Sequence, residues 1–273
     1  MNEVPAQTEV RALLLAAGAG SRLSPLTDTW PKALMPVGGR PLLEYWLESL
    51  RTVGIREILV NVHHHSEQMM RFLQRPCFTG WVRAVHEPRI LGTAGSVSSN
   101  RDFFAGHTTL LVHADNWCQC DFQAFLAFHQ EERPDGCPIT MMTFDSFTPE
   151  TCGIVEIDDA TIVTGFHEKV ANPPGNRANG AVYLIEPEVL DWLKRHPGIL
   201  DFSTQVVPNF TGRISTWHNP DIHRDLGTPE ALALAQADSA PELPWPESDE
   251  WSNWFAGHPI HDRVAELVAS GGS

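Results

Sequence analysis

Lysine is nearly missing from this 273-residue sequence, standing only at Lys32, Lys169 and Lys194. Lysine and arginine together number 19 against 34 aspartates and glutamates, a formal net charge of -15. That balance argues against general nucleic-acid binding, which needs a basic face. It also makes each local cation informative. An acidic protein that holds an anion must make the site positive with arginine, lysine, helix N-termini or a divalent metal. Long apolar runs are absent too: none approaches the ~20 residues of a membrane span. Residues 1–11 are polar, with no signal-peptide core. Cysteine is sparse and odd in number, five in all, which reads as reduced thiols rather than a disulfide framework. The expectation is a cytoplasmic protein with no membrane partner. Cys118 and Cys120 lack the second pair that a structural metal site wants. His63, His64 and His65 follow a strand, where alternate side chains point to opposite faces, so the three cannot easily converge on an ion.

What is present is globular: 42% hydrophobic and 19% charged residues, enough for a sizeable core in one large domain or two small ones. Apolar runs at Ala12–Ala17, Glu57–Val62, Trp81–His86, Thr108–His113 and Ile139–Phe144 read as strands. Helical spacing covers Pro41–Val53, Ser66–Gln74 and Phe122–His129. Strands alternating with helices predict an α/β fold, a mixed and mostly parallel sheet layered by helices, with ligands at the carboxyl ends of strands. From Gly153 the rhythm turns β-rich, with strands over Gly153–Ile157, Ile162–His167, Ala181–Ile185 and Arg213–Trp217 and helices over Glu188–Lys194 and Pro229–Ala237. The expected division is a domain over residues 1–238, made of halves over about 1–150 and 151–238, and an acidic, tryptophan-rich extension over 239–273. In that extension Asp262–Ala269 reads as an amphipathic helix. Trp245, Trp251 and Trp254 are expected to pack it on the core, serving stability or assembly rather than chemistry. A lid or a homo-oligomer contact is the rival reading.

The first strand breaks into Ala17, Gly18, Ala19, Gly20 and Ser21, followed by Arg22 and, ten residues on, Lys32. Glycine lets backbone N–H groups approach an anion with no Cβ in the way. A strand, a small-residue loop and two cations make a seat for a polyphosphate. The dinucleotide-binding fingerprint fails, because its third glycine would fall at Leu23, and the Walker A loop is absent. The stretch Leu15–Thr27, Leu-Ala-Ala-Gly-x-Gly-x-Arg-Leu-x-Pro-Leu-Thr, followed by Pro-Lys-x-Leu-x-Pro-Val at Pro31–Val37, resembles the signature of the sugar-nucleotide pyrophosphorylases. Later segments carry the resemblance to about residue 237, and its feel is closest to the mannose-1-phosphate guanylyltransferases.

The resemblance implies a Rossmann-like nucleotidyltransferase fold. It implies attack by a sugar 1-phosphate oxygen on the α-phosphorus of a nucleoside triphosphate, releasing pyrophosphate. The nucleophile is already anionic, so the chemistry is positioning and charge neutralisation and needs no triad. Arg22 would fork across the leaving phosphates and Lys32 would sit near the α-phosphate. Asp115, in Val112–Asn116, and Asp225, in His223–Thr228, would hold Mg²⁺; His113 and Ala114 depart from the Asn-Gly that the family carries before the first aspartate. Plain roles for the two are a helix cap and a turn residue. Glu87, Gly92 and Thr93, in Glu87–Gly95, resemble the base-reading loop, and a carboxylate at Glu87 favours guanine's N1–H and N2–H₂ edge. Glu168 and Lys169 in Phe-His-Glu-Lys, Asn179 in Asn-Gly-Ala-Val-Tyr and Gly153 would hold the sugar phosphate. Ala181 stands where the family usually has glycine. The expected reaction joins GTP to mannose 1-phosphate or a related manno-configured sugar. UTP or dTTP with another hexose 1-phosphate is the alternative, and a non-catalytic sugar-nucleotide-binding regulator is the rival class, against which the intact charged set speaks.

Overall fold

The computed structural model describes residues 9–271. The readings made for residues 1–8 and for the last two residues of the tail lie outside the described residues. The strands are β1 (Val10–Leu15), β2 (Pro36–Val37), β3 (Arg40–Pro41), β4 (Glu57–Val62), β5 (Val82–His86), β6 (Thr108–His113) and β7 (Asn116–Cys118). They continue as β8 (Ile139–Asp145), β9 (Gly153–Ile157), β10 (Val163–Glu168), β11 (Arg177–Ile185), β12 (Ile214–His218) and β13 (His223–Asp225). The helices are α1 (Leu42–Thr52), α2 (Ser66–Leu73), α3 (Thr93–Ser99), α4 (Arg101–Phe104) and α5 (Phe122–Ala127). After them come α6 (Pro187–Arg195), α7 (Val207–Phe210), α8 (Pro229–Ala237), α9 (Glu250–Ala256) and α10 (Ile260–Gly271). Among the described residues no helix is long and apolar enough to cross a membrane.

The main sheet runs β10-β9-β11-β6-β1-β4-β5, with β8 pairing both β11 and β12. It is mixed: β4 and β5 are parallel, whereas β10 with β9 and β11 with β8 are antiparallel. The expected α/β architecture with a helical C-terminal end is the one observed. β1 stops at Leu15 rather than Ala17, because the next backbone N–H, of Ala16, donates to the Asn61 side chain at 2.7 Å instead of to a ladder.

Two compact units interleave along the chain. One takes the first strand up to Leu13, Leu91–Leu111 and Leu126–Trp217. Burial on β8 and β11 is nearly continuous, covering Ile139, Thr140, Met141, Met142, Val182, Tyr183 and Leu184; Ile154 on β9 is buried too, and Phe202, beyond β11, packs 4.7 Å from Tyr183. β11 begins at Arg177, earlier than the expected Ala181. The register with β8 shifts between Asn179 and Tyr183, where Ala181 takes φ +53°. A bulge of this kind bends a strand and re-aims its side chains.

The other unit takes Leu14–Ile90, Val112–Phe125 and the chain from His218 on. α1 presents Leu42, Leu43, Trp46, Leu47 and Leu50 at helical spacing and buries all five. β13 pairs antiparallel with β7, setting Asp225 opposite Asn116. The tail belongs to this unit. α9 opens on a capping box between Asp249 and Ser252. Asp249 also accepts from Arg75 Nε at 2.7 Å, and the same buried guanidinium reaches Glu44 at 3.1 Å. The tail tryptophans meet aromatic rings of the unit: half-buried Trp245 lies 5.0 Å from Tyr45, half-buried Trp251 4.9 Å from Phe72, and Trp254, still 45% exposed, 6.0 Å from Trp30.

Candidate active site

The small-residue loop leaves β1 with Ala16 and Ala17 buried and Gly18, Ala19 and Ser21 exposed. Gly20 takes φ +65°, and a Cβ there would come within 3.0 Å of Lys32 Cβ and Thr27 Cγ2. Both the left-handed backbone and the close approach require glycine. Thr27 Oγ1 donates to Gly20 O at 3.0 Å and closes the loop back on itself. The turn Ser21–Leu23 then aims Arg22 outward, and a second turn, Lys32–Leu34, aims Lys32 inward.

The two cations meet both predicted metal carboxylates. Lys32 Nζ lies 2.7 Å from Asp115 Oδ2 and 2.9 Å from Asp225 Oδ1. Arg22 Nη2 lies 2.8 Å from Asp225 Oδ2. Asp115 sits in the turn between β6 and β7, and its backbone oxygen accepts from Leu226 N at 3.4 Å, so the two aspartates are fixed by neighbouring backbone. The Arg22 guanidinium lies over Gly227, where a Cβ would fall 2.5 Å from Nη2. Burial alone would lower the Lys32 pKa, but the two carboxylates outweigh it and hold the ammonium above its ordinary value. Burial would likewise raise the Asp225 carboxyl, yet Lys32 and Arg22 outweigh it and hold that group below the ordinary carboxylate range.

Glu87 stands behind this loop, only 3% exposed. Asn61 Nδ2 donates to Glu87 Oε1 at 3.0 Å, and Asn61 Oδ1 accepts from Ala16 N. A chain of hydrogen bonds therefore runs from Glu87 to the backbone where the loop begins. Asn61 went unnoticed in the sequence. The available signal was an amide inside the apolar run Ile58–Val62.

The remaining predicted residues fall in the first unit. Gly92 takes φ +79°, and a Cβ would lie 2.5 Å from Leu200 O; Ala94 N donates to that same oxygen at 2.9 Å. Thr93 Oγ1 accepts from Phe202 N at 2.6 Å and donates to Asp201 Oδ2 at 3.3 Å. Gly153 and Glu168 are cross-strand partners on β9 and β10, and a Cβ on Gly153 would lie 2.7 Å from Glu168 Oε2. Lys169, 65% exposed, reaches Glu168 at 3.4 Å. Asn179 donates to Tyr183 Oη at 2.6 Å, and burial pushes the Tyr183 hydroxyl's pKa up. Glu168, Gly153 and Asn179 thus lie on three adjacent strands, β10, β9 and β11.

Comparison with known proteins identifies the family. Residues 11–241 match the family described as Nucleotidyl transferase. The chain is similar to the mannose-1-phosphate guanylyltransferase catalytic subunit beta of Drosophila melanogaster, 29% identical over 205 residues, covering 74% of this chain and 54% of the relative. It is similar to the mannose-1-phosphate guanylyltransferase of Mycobacterium tuberculosis, 26% identical over 235 residues, covering 84% of this chain and 64% of the relative. The chain therefore spans less than two thirds of the length of these curated relatives. A crystal structure of a Bacillus anthracis protein assigned as a glucose-1-phosphate thymidylyltransferase shares the fold. Its TM-score is 0.74 at 21% identity, covering 85% of this chain and 98% of that one.

Proposed function

We propose that this chain, which belongs to the nucleotidyl transferase family, joins a nucleoside triphosphate to a sugar 1-phosphate and releases pyrophosphate. The observation that carries the reading is the convergence of Arg22, Lys32, Asp115 and Asp225 beside a loop whose tight turn Gly20 permits. A sugar-phosphate oxygen attacks the α-phosphorus, the bond to the bridging oxygen of the β-phosphate breaks, and its electron pair leaves with pyrophosphate. Lys32, fixed by two carboxylates, is a preorganised positive charge for the oxygens that gain charge in the transition state. Arg22 is the cation with room to move, and its fork suits the two leaving phosphates.

The residues present fit a divalent cation. Asp115 and Asp225 aim at one common point, now taken by the Lys32 ammonium. A hard octahedral ion is held by one or two carboxylates together with water and phosphate oxygens. Among the described residues no group of three or more His, Cys, Asp or Glu could hold a metal, so these two carboxylates would need the substrate's oxygens to complete the shell. Mg²⁺, when bound, supplies charge neutralisation of the phosphates. In the other unit Glu168, Lys169 and Asn179 are the proposed sugar-phosphate contacts, with Gly153 giving the clearance.

For the substrates we propose GTP and mannose 1-phosphate, supported by the mannose-1-phosphate guanylyltransferase activity for which the relatives are named. The carboxylate at Glu87 is the proposed guanine reader. The fold neighbour's thymidylyltransferase assignment supports the alternative with dTTP or UTP. A cytoplasmic enzyme, without nucleic-acid or membrane partners and with any self-association left to measurement, completes the proposal. The test is a matrix of four nucleoside triphosphates against several sugar 1-phosphates with Mg²⁺, scored by pyrophosphate. The proposal expects release only where both substrates are present, and strongest with GTP; no release in any pairing would leave the non-catalytic reading.

A further inference from the structure

The nine residues between Arg22 and Lys32 form a loop of backbone turns, with Ser24, Pro25, Asp28 and Thr29 exposed. Its own hydrogen bonds are short-range, such as Leu26 N to Leu23 O and Thr29 N to Leu26 O. Two elements grip it from outside. From the α2 side His65 Nε2 meets Thr27 O at 2.8 Å and Gln68 donates to Thr29 O at 2.9 Å. From the tail, Arg263 on α10 donates from Nη1 to Thr29 Oγ1 and from Nη2 to Pro25 O, both at 2.7 Å. Beside these contacts Trp30 is fully buried, its ring 4.4 Å from His258 and 5.9 Å from Phe255. The tail therefore holds the loop at Pro25, Thr29 and Trp30, and Lys32 follows two residues later. The family match ends at residue 241, so α9 and α10 lie beyond it.

We propose that the C-terminal extension is a clamp for the phosphate-binding loop, with Arg263 as its positioning residue. The proposal rests on the nucleotidyl transfer reading above and departs from the expectation that the tail serves stability or assembly alone. A guanidinium suits the task because its two terminal nitrogens span two acceptors four residues apart, which one ammonium cannot copy. Transfer between phosphates depends on placement, and small shifts of a charged group lower turnover steeply. The tail has its own anchor in the Arg75–Asp249–Glu44 cluster, so removing the Arg263 fork leaves α9 attached.

The test compares wild type, Arg263→Ala, Arg263→Lys and the surface control Arg71→Ala in two measurements. The first is hydrogen exchange of residues 20–32 in the ligand-free protein. The second is steady-state kinetics with each substrate varied. Arg263→Ala should melt like wild type but exchange the loop amides about tenfold faster, the order expected when a hydrogen bond to a charged group is lost. Its kcat should fall and its KM for the nucleotide rise, together about tenfold in kcat/KM, while KM for the sugar phosphate stays put. Arg263→Lys should fall between, and Arg71→Ala should match wild type. Unchanged exchange and an unchanged nucleotide kcat/KM in Arg263→Ala overturn the clamp. A loss spread equally over both substrates, tracking a lower melting temperature, overturns it as well. Exchange is read without substrate, so a wild type that turns nothing over sinks the reading of the function and leaves the clamp to stand or fall on its own.

Discussion

Two of the three lysines sit in chemical motifs, and the structure treats them in opposite ways. Lys32 is 4% exposed and bridges two aspartates; Lys169 is 65% exposed and touches one glutamate at 3.4 Å. The first belongs to a network whose charges are already balanced, whereas the second is a solvated cation beside Glu168. A buried charge is destabilising to disturb, because removing one partner strands the others. An exposed pair contributes little to folding. On the proposed reading, the held lysine suits charge that develops in the transition state and the exposed one suits a ground-state phosphate.

Substituting both lysines breaks the comparison most sharply. Lys32→Met should lower turnover by a hundredfold or more, the order for losing a transition-state donor. It should also destabilise the fold by about 2–3 kcal/mol, less than for a fully buried pair because the aspartates are part-exposed. Lys169→Met should leave stability unchanged and raise KM for the sugar phosphate. Equal melting curves and equal kinetic losses would erase the distinction between the two sites.

Arg22→Lys comes next, with an expected loss on the order of a hundredfold in turnover, because a point charge cannot span two phosphates. A loss under about threefold would make Arg22 an ordinary surface cation. Glu87→Gln should change the ratio of specificity constants for GTP over UTP by about tenfold, the effect of losing one charged hydrogen bond. An unchanged ratio with lower turnover would leave Glu87 as the support of Asn61 alone.

The network also sets a pH window. Asp225's carboxyl is held below 3.8, so its stabilisation is present above that value and lost as acid carries the pH through the folded pKa. Lys32's ammonium is held above 10.5, so its contribution is full below that value and lost as alkali passes the folded pKa. The stability difference between wild type and Asp225→Asn should be flat between about pH 5 and pH 9 and shrink on both sides. A difference that grows in acid would contradict the pairing.

The smallest effect belongs to the other unit. Ala181 holds φ +53° at the bulge of β11, a strained position for a residue with a Cβ. Ala181→Gly should stabilise the protein by about 0.5–1 kcal/mol, relief of the left-handed strain less the added unfolded entropy. A lower denaturant midpoint would show that the strain is absorbed elsewhere.

Local patterns made much of this legible. Glu57–Val62, Thr108–His113, Gly153–Ile157 and Pro229–Ala237 follow from apolar runs and their punctuation, and each matches its observed element end for end. Arg22, Lys32, Asp115 and Asp225 stood out as motif charges, and the structure brings them together. What periodicity could not supply is contact at long range. Asn61 under Ala16, Gly227 under Arg22 and Arg263 on Pro25 and Thr29 join residues 45 to 238 positions apart. Helix α9 was missed although its signals are local: a cap, Asp249 with Ser252, and Trp251, Trp254 and Phe255 at helical spacing.

If the Lys32–Asp115–Asp225–Arg22 cluster performs nucleotidyl transfer, as proposed, Asp225→Asn strikes at its centre. The substitution removes one charge and almost no volume. Pyrophosphate release at limiting Mg²⁺ is measured with GTP and mannose 1-phosphate, alongside a melting curve for each protein. The account predicts that wild type consumes both substrates in equal amounts and that the variant, still cooperatively folded, loses most turnover. A folded Asp225→Asn protein with near-wild-type turnover would contradict it.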